Sequence, residues 1–379
     1  MSNLKIQYCK SACAIFITFL TLSGCNSESS IEAKLRGSDN NSGVYDSEAP
    51  TTINEIVWKF RPSRQNDFMG SIVAGNSKAY IVDFRYRTLY AIDVQAGEEA
   101  WRWESDEEIG QPEYNDGAVY VGTQGGEFYS IDSASGNERW SFKGVERMVY
   151  TPAINGRTVY VSDAEGMRAI DIKTGQLNWS FIVDGPSAGV TVDGNVLYFA
   201  TKNYLFSVNK DTGKELWRTG IKYSRIGQPK APVLLGNDIY INSMSEIYRV
   251  DKNTGQIIWS KEVSGIMNSA VAASNGKIFF GVWGGAAIDD FKSGYIKSIA
   301  TDDGAALWEF KLNKGTGSSP SVSGDNVYIG DWSGTLFALD SNTGEALWDF
   351  KGIGAISGAP AIFGGSIIIG GDEGVFRLK

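Results

Sequence analysis

The sequence predicts an all-β chain folded as an eight-bladed β-propeller of four-stranded blades. Three observations carry that prediction. A frame of Asp, Gly and Trp recurs about every forty residues; a β-branched and aromatic strand pattern repeats alongside it; and an unpaired Trp strand near the N-terminus supplies what the last repeat lacks.

The frame reads Asp93/Gly97/Trp101, Asp132/Gly136/Trp140, Asp171/Gly175/Trp179, Asp251/Gly255/Trp259 and Asp340/Gly344/Trp348, with degraded copies at Asn209/Gly213/Trp217 and Ala300/Gly304/Trp308. Asp or Asn accepts backbone N–H groups inside a tight turn, and Gly takes φ > 0 without a Cβ penalty. Upstream of each frame lies a strand pattern such as Ala79-Tyr80-Ile81-Val82 or Val327-Tyr328-Ile329-Gly330, and Ile367-Ile368-Ile369-Gly370 makes an eighth. Each repeat therefore divides into a small-residue strand, a Tyr strand, an Ala-x-Asp strand and a Trp strand. The eighth repeat runs out in its third strand at Lys379, whereas Ile56-Val57-Trp58-Lys59-Phe60 stands alone. Pairing the Trp58 strand onto the last blade closes the ring and removes two open sheet edges. Residues 54–379 then give about 41 residues per blade, within the propeller range. An open solenoid would need no borrowed strand.

Composition fits this class and excludes others. Glycine is 45 of 379 residues, against an average near 7%, and Pro is only 9, so turns are abundant without a disordered composition. The formal charge of −9 opposes nucleic-acid binding, which needs a basic footprint. Histidine is absent, which excludes a Ser-His-Asp triad, His-ligated zinc and a His general base.

The N-terminus predicts a destination. Lys5 and Lys10 precede the mostly apolar run from Ala12 to Leu22, a signal-peptide layout too short for a membrane span. Leu22-Ser23-Gly24-Cys25 resembles the bacterial lipobox, which implies a signal peptide over 1–24 and lipidation of Cys25. Cys9 and Cys13 are lost with the signal peptide, so no disulfide or Cys-metal site is expected in the mature chain. Residues 25–53 read as a polar, disordered tether. Asn26 at the sorting position implies, by resemblance to Gram-negative lipoproteins, an anchor in the outer membrane; a periplasm-facing propeller is the leading expectation, and the sequence itself does not set the orientation.

The Ala-x-Asp-x-x-Thr-Gly-x-x-x-Trp frame resembles the tryptophan-docking repeat of PQQ-type propellers across almost the whole mature chain. The resemblance implies that Trp58, Trp101, Trp140, Trp179, Trp217, Trp259, Trp308 and Trp348 dock between neighbouring blades. Two branches share the repeat: quinoprotein alcohol dehydrogenases and BamB-type lipoproteins of outer-membrane protein assembly. The dehydrogenase branch implies a calcium site, a catalytic Asp and usually a vicinal disulfide. This chain has no mature Cys pair, and Asp289-Asp290 and Asp302-Asp303 read as solvated loop charge, so no catalytic residue, metal or cofactor is expected. The BamB-like branch implies a non-enzymatic scaffold with a protein partner in the cell envelope, such as a barrel-assembly component. A quinone-dependent dehydrogenase and a propeller lipoprotein binding a glycan are the alternatives.

Three tryptophans fall outside the frame. Trp103 is expected to pack beside Trp101. Trp283 and Trp332 occupy the same loop position as Phe84, in blades six, seven and one, with Arg85 and Arg87 adjoining Phe84. Blade six also carries extra residues here, within 282–295. Aromatic and Arg side chains anchor protein interfaces, so these five are candidate partner-binding residues. A plug for the central channel explains the aromatics equally well, and both readings stand at this point.

Overall fold

A computed structural model describes residues 34–37, 41–62, 68, 70–148, 150–183, 187, 189–222, 230–284 and 293–379. Residues 1–24, read from the sequence as a signal peptide, lie outside the described residues, as do Cys25, Asn26 and Asp289-Asp290. Eight four-stranded antiparallel sheets follow one another along the chain. Blade one comprises Val73–Gly75, Lys78–Asp83, Thr88–Asp93 and Glu99–Glu104, and blade seven Ser321–Ser323, Asn326–Gly330, Thr335–Asp340 and Ala346–Lys351. In blade eight the strands Ala361–Phe363, Ser366–Gly371 and Gly374–Leu378 are completed by Ile56–Phe60 from the other end of the chain. Ile56 lies opposite Leu378, Trp58 opposite Arg377 and Phe60 opposite Val375, so the ring closes as the sequence predicts.

Burial follows the strand pattern. The second strands bury Tyr80, Tyr160, Tyr240 and Tyr328 almost completely, while the fourth strands alternate exposed and partly buried residues, as outer edges do. Between blades, the frame residues act together. Each turn Asp accepts the backbone N–H groups two and three residues further on, as Asp340 does from Asn342 and Thr343. The Trp of one blade then lies over the turn Gly of the next, except at Gly304, where Lys261 is nearest. An added Cβ on Gly136, at φ +75°, would stand 2.8 Å from the Trp101 ring. Trp103 joins the same hydrophobic cluster as Trp101, and its ring packs at 4.9 Å on Tyr129 of blade two.

Residues 41–53, which the sequence assigns to a disordered tether, are instead bonded to the propeller. Val322 N–H donates to the Gly43 carbonyl at 2.7 Å, Tyr45 N–H donates to the Val322 carbonyl at 2.8 Å, and Ala273 N–H donates to Ser42. Val44 thus bridges in parallel to the innermost strand of blade seven. Ser323 Oγ donates to the Ser47 carbonyl and accepts from Ala49 N–H. The physical reason is that each innermost strand leaves an unpaired edge facing the axis, and a polar segment satisfies it through its backbone, whatever its side chains.

Candidate functional site

Two regions carry side chains that the repeat does not explain: the loops that share a face with the blade connections, and the axis.

On the loop face, backbone pairing fixes the two extra tryptophans. Trp283 exchanges two hydrogen bonds with Ile266 of the connection entering blade six. Trp332 N–H donates to the Gly315 carbonyl, and its indole N–H donates to Ser357 Oγ at 3.2 Å. The rings stand 5.8 Å apart, both partly exposed, over the close-packed backbone of Gly315. Asp331 holds this arrangement. It is fully buried, with one carboxylate oxygen accepting from Ser333 and Thr335 N–H and the other from Asn313 and Lys314 N–H.

Phe84 does not complete the arc. It packs instead with Trp103 and Tyr129 against the cluster between blades one and two. Arg85 and Arg87 are exposed beside it, and Arg87 donates to the Asp106 carbonyl. The structure therefore joins Trp283 to Trp332 and sets Phe84, Arg85 and Arg87 apart. Asp83 accepts from Arg85 and Tyr86 N–H, as the equivalent Asp331 does from Ser333 and Thr335 N–H before Trp332. None of Phe84, Trp283 or Trp332 lines the axial cavity.

That cavity has a volume of about 310 Å³ and receives residues from every blade, such as Ser71, Gln111, Gly189 and Ser357. Blades three and four give it Ile154, Val190 and Val192, whereas blade five contributes Lys230 and the N-terminal segment Lys34, Arg36 and Asn41. Arg36 is buried, donates to the Val271 carbonyl, and is pushed down to about 10 by desolvation. Burial likewise lowers Lys230 and raises Tyr45, beside Arg36, to about 12. The repeat frame gives no signal for these positions, because its Asp, Gly and Trp lie on the turns and outer strands and none of them lines the cavity.

The residues present do not suit a calcium–quinone centre. Calcium takes six to eight oxygen ligands, usually with several carboxylates. Among the described residues no three acidic side chains converge, and the one carboxylate on the axial cavity, Glu113, shares it with three cations.

Geometry thus defines a tryptophan-docked, eight-bladed propeller closed by its N-terminal strand. The chain belongs to the family described as outer membrane protein assembly factor BamB, whose model matches residues 52–261 and 292–378. Its fold is similar to BamB from Moraxella catarrhalis, at TM-score 0.70 and 17% identity, covering 86% of this chain and 98% of that one. It is also similar to a europium-containing methanol dehydrogenase, at TM-score 0.72 and 15% identity over 92% and 89% of the two chains. A quinohemoprotein alcohol dehydrogenase from Comamonas testosteroni gives TM-score 0.74 and 13% identity over 92% and 80%. No curated protein matches in sequence. At these identities the solved structures share the fold alone.

Proposed function

We propose that this protein is a lipid-anchored, non-enzymatic scaffold of the outer membrane that docks a protein partner of outer-membrane protein assembly. The observation that carries the reading is the Trp283–Trp332 pair: two partly exposed rings, rigidly seated on Gly315 and Asp331, on the face opposite the Asp-Gly turns. Rigid aromatic anchors are the usual centres of interface energy. Membership of the BamB family supports an assembly role, and Cys25 is the proposed point of lipid attachment. Phe84, Arg85 and Arg87 are a separate, second contact patch on this reading.

The test is a pull-down of the assembly barrel protein with the wild-type chain and a Trp283→Ala/Trp332→Ala variant. Loss of about 2 kcal/mol or more in binding, with an unchanged melting temperature, is expected. A destabilised variant that still captures the partner at low temperature overturns it.

A quinone-dependent dehydrogenase of the same fold is the alternative reading. Reconstitution with PQQ and Ca²⁺ followed by dye reduction tests it, and robust turnover would replace the scaffold proposal.

A further inference from the structure

We propose that the axial cavity binds a small organic anion with an apolar body, its charged end held by Arg36 and Lys230. Three observations converge on this chemistry. The first is uncompensated charge. Four charged residues line the cavity: Lys34, Arg36, Lys230 and Glu113. Lys34 and Glu113 each have a partner. Arg36 and Lys230 form no ion pair with a carboxylate among the described residues, in a chain whose formal charge is −9.

The second observation is a surplus of hydrogen-bond donors. Arg36 Nε and Nη1 and the Asn41 amide nitrogen are buried without an acceptor, and so is the Ser269 hydroxyl. All three residues line the cavity. Buried polar groups are rarely left unmade, and a cluster of unmet donors calls for an acceptor-rich guest. Tyr45 does not supply the missing charge, because its buried phenol is held neutral.

The third observation is asymmetry of the wall. The cationic residues come from blade five and the N-terminal segment, whereas blades three and four line the cavity with Ile154, Val190 and Val192. An inorganic anion would leave those apolar side chains unused, while an organic anion uses both kinds of lining. A volume of about 310 Å³ is at the lower end for small-molecule pockets, which sets the guest's size. Desolvation of Arg36 and Lys230 disfavours their charged forms, and an anion offsets that penalty where water is scarce.

Ligand-observed NMR on the detergent-solubilised full chain, at fixed ionic strength, tests the proposal with hexanoate, its neutral amide hexanamide, and inorganic phosphate. Saturable hexanoate binding is expected, with hexanamide and phosphate each weaker by about tenfold or more. Lys230→Gln should weaken hexanoate by about tenfold while leaving the melting temperature unchanged. Arg36→Gln should do the same, and because Arg36 also holds the N-terminal segment, Lys230→Gln decides if that variant unfolds. The Trp283→Ala/Trp332→Ala variant should bind hexanoate normally, which keeps this site separate from partner docking. The proposal is overturned by absent saturable binding, by equal affinity for acid and amide, by phosphate matching hexanoate, or by a Lys230→Gln variant that binds as the wild type does.

Discussion

The indole N–H of Trp101 donates to the carbonyl of Ser133 in the next blade at 2.9 Å. The same bond recurs around the ring, from Trp58 to Val94, Trp140 to Ile172, Trp179 to Lys210, Trp217 to Lys252, Trp259 to Thr301 and Trp308 to Ser341. In every case the acceptor is the residue after the first position of the turn frame. Trp348 is the exception, with a buried indole nitrogen and no acceptor. Blade eight takes its fourth strand from the N-terminus, so no third-to-fourth turn stands where that acceptor belongs.

This difference predicts unequal costs for one substitution. Trp308→Phe removes ring area and a hydrogen bond worth about 1 kcal/mol, whereas Trp348→Phe removes ring area alone. Chemical denaturation of the two variants should rank Trp308→Phe as the less stable. Equal losses would show that the docking bond contributes nothing.

The turn glycines separate conformational from steric cost. Gly136 has φ +75° and touches Trp101, whereas Gly156 has φ +59° and open space around a built Cβ. Gly156→Ala should cost about 1 kcal/mol, the left-handed penalty alone. Gly136→Ala should cost that and roughly 1–3 kcal/mol more for the displaced ring. Denaturant midpoints for both variants check the ordering.

Blade three contains a buried ion pair. Arg168 Nε meets Asp163 Oδ2 at 2.8 Å, both side chains nearly inaccessible, and Asp163 also accepts from Val145 and Glu165 N–H. Arg168→Met should destabilise the chain by about 3–5 kcal/mol, because it strands a buried carboxylate. Adding Asp163→Asn should recover part of the loss, and a further drop in the double variant would contradict the pairing.

Acid should loosen the turns. Arg139 and the Ser135 backbone hold Asp132 well below the usual carboxylate range, and backbone N–H groups lower Asp251 and Asp340. Folded values below the unfolded ones mean that the native state binds fewer protons. These acids therefore stabilise above about pH 4, and that contribution is lost as pH falls further. Denaturant titrations at falling pH should show the decline, and Asp251→Asn/Asp340→Asn should flatten it while keeping an acceptor in each turn.

The segment before the closing strand should matter to stability. Ala49 and Ile53 pack against the same core cluster as Trp348, beside the blade junction that lacks its docking bond. Deleting residues 41–50 should lower the melting temperature more than Trp348→Phe does. A full-length-like melting temperature would mean that these contacts are incidental.

Much of this architecture is legible in the sequence because it rests on fixed spacing. Asp93, Gly97 and Trp101 announce a turn and its neighbour's contact at once, and the orphan Trp58 strand announces closure. Trp283 and Trp332 are also found from their equivalent loop positions. Phe84 is misplaced by the same reasoning, since an equivalent loop position does not show that a ring will pack with Trp103 and Tyr129 of its own neighbourhood. The role of residues 41–53 is hidden because backbone edges are satisfied without any side-chain pattern. Arg36 and Lys230 are hidden for a different reason: they line one cavity only because the N-terminal segment runs to the axis, and they lie nearly two hundred positions apart in the chain.

The insertion of Arg36 at the axis changes how the protein would hang from a membrane. If Cys25 bears the lipid, the leash ends at the hub of the wheel and not at its rim. Eleven residues separate the two positions, at most about 40 Å of extended chain. A leash ending at the closing strand would reach more than twice as far. Standoff from the bilayer would then be short, while spin about the ring's own axis would stay nearly free. A partner approaching from any azimuth could be met by rotation alone.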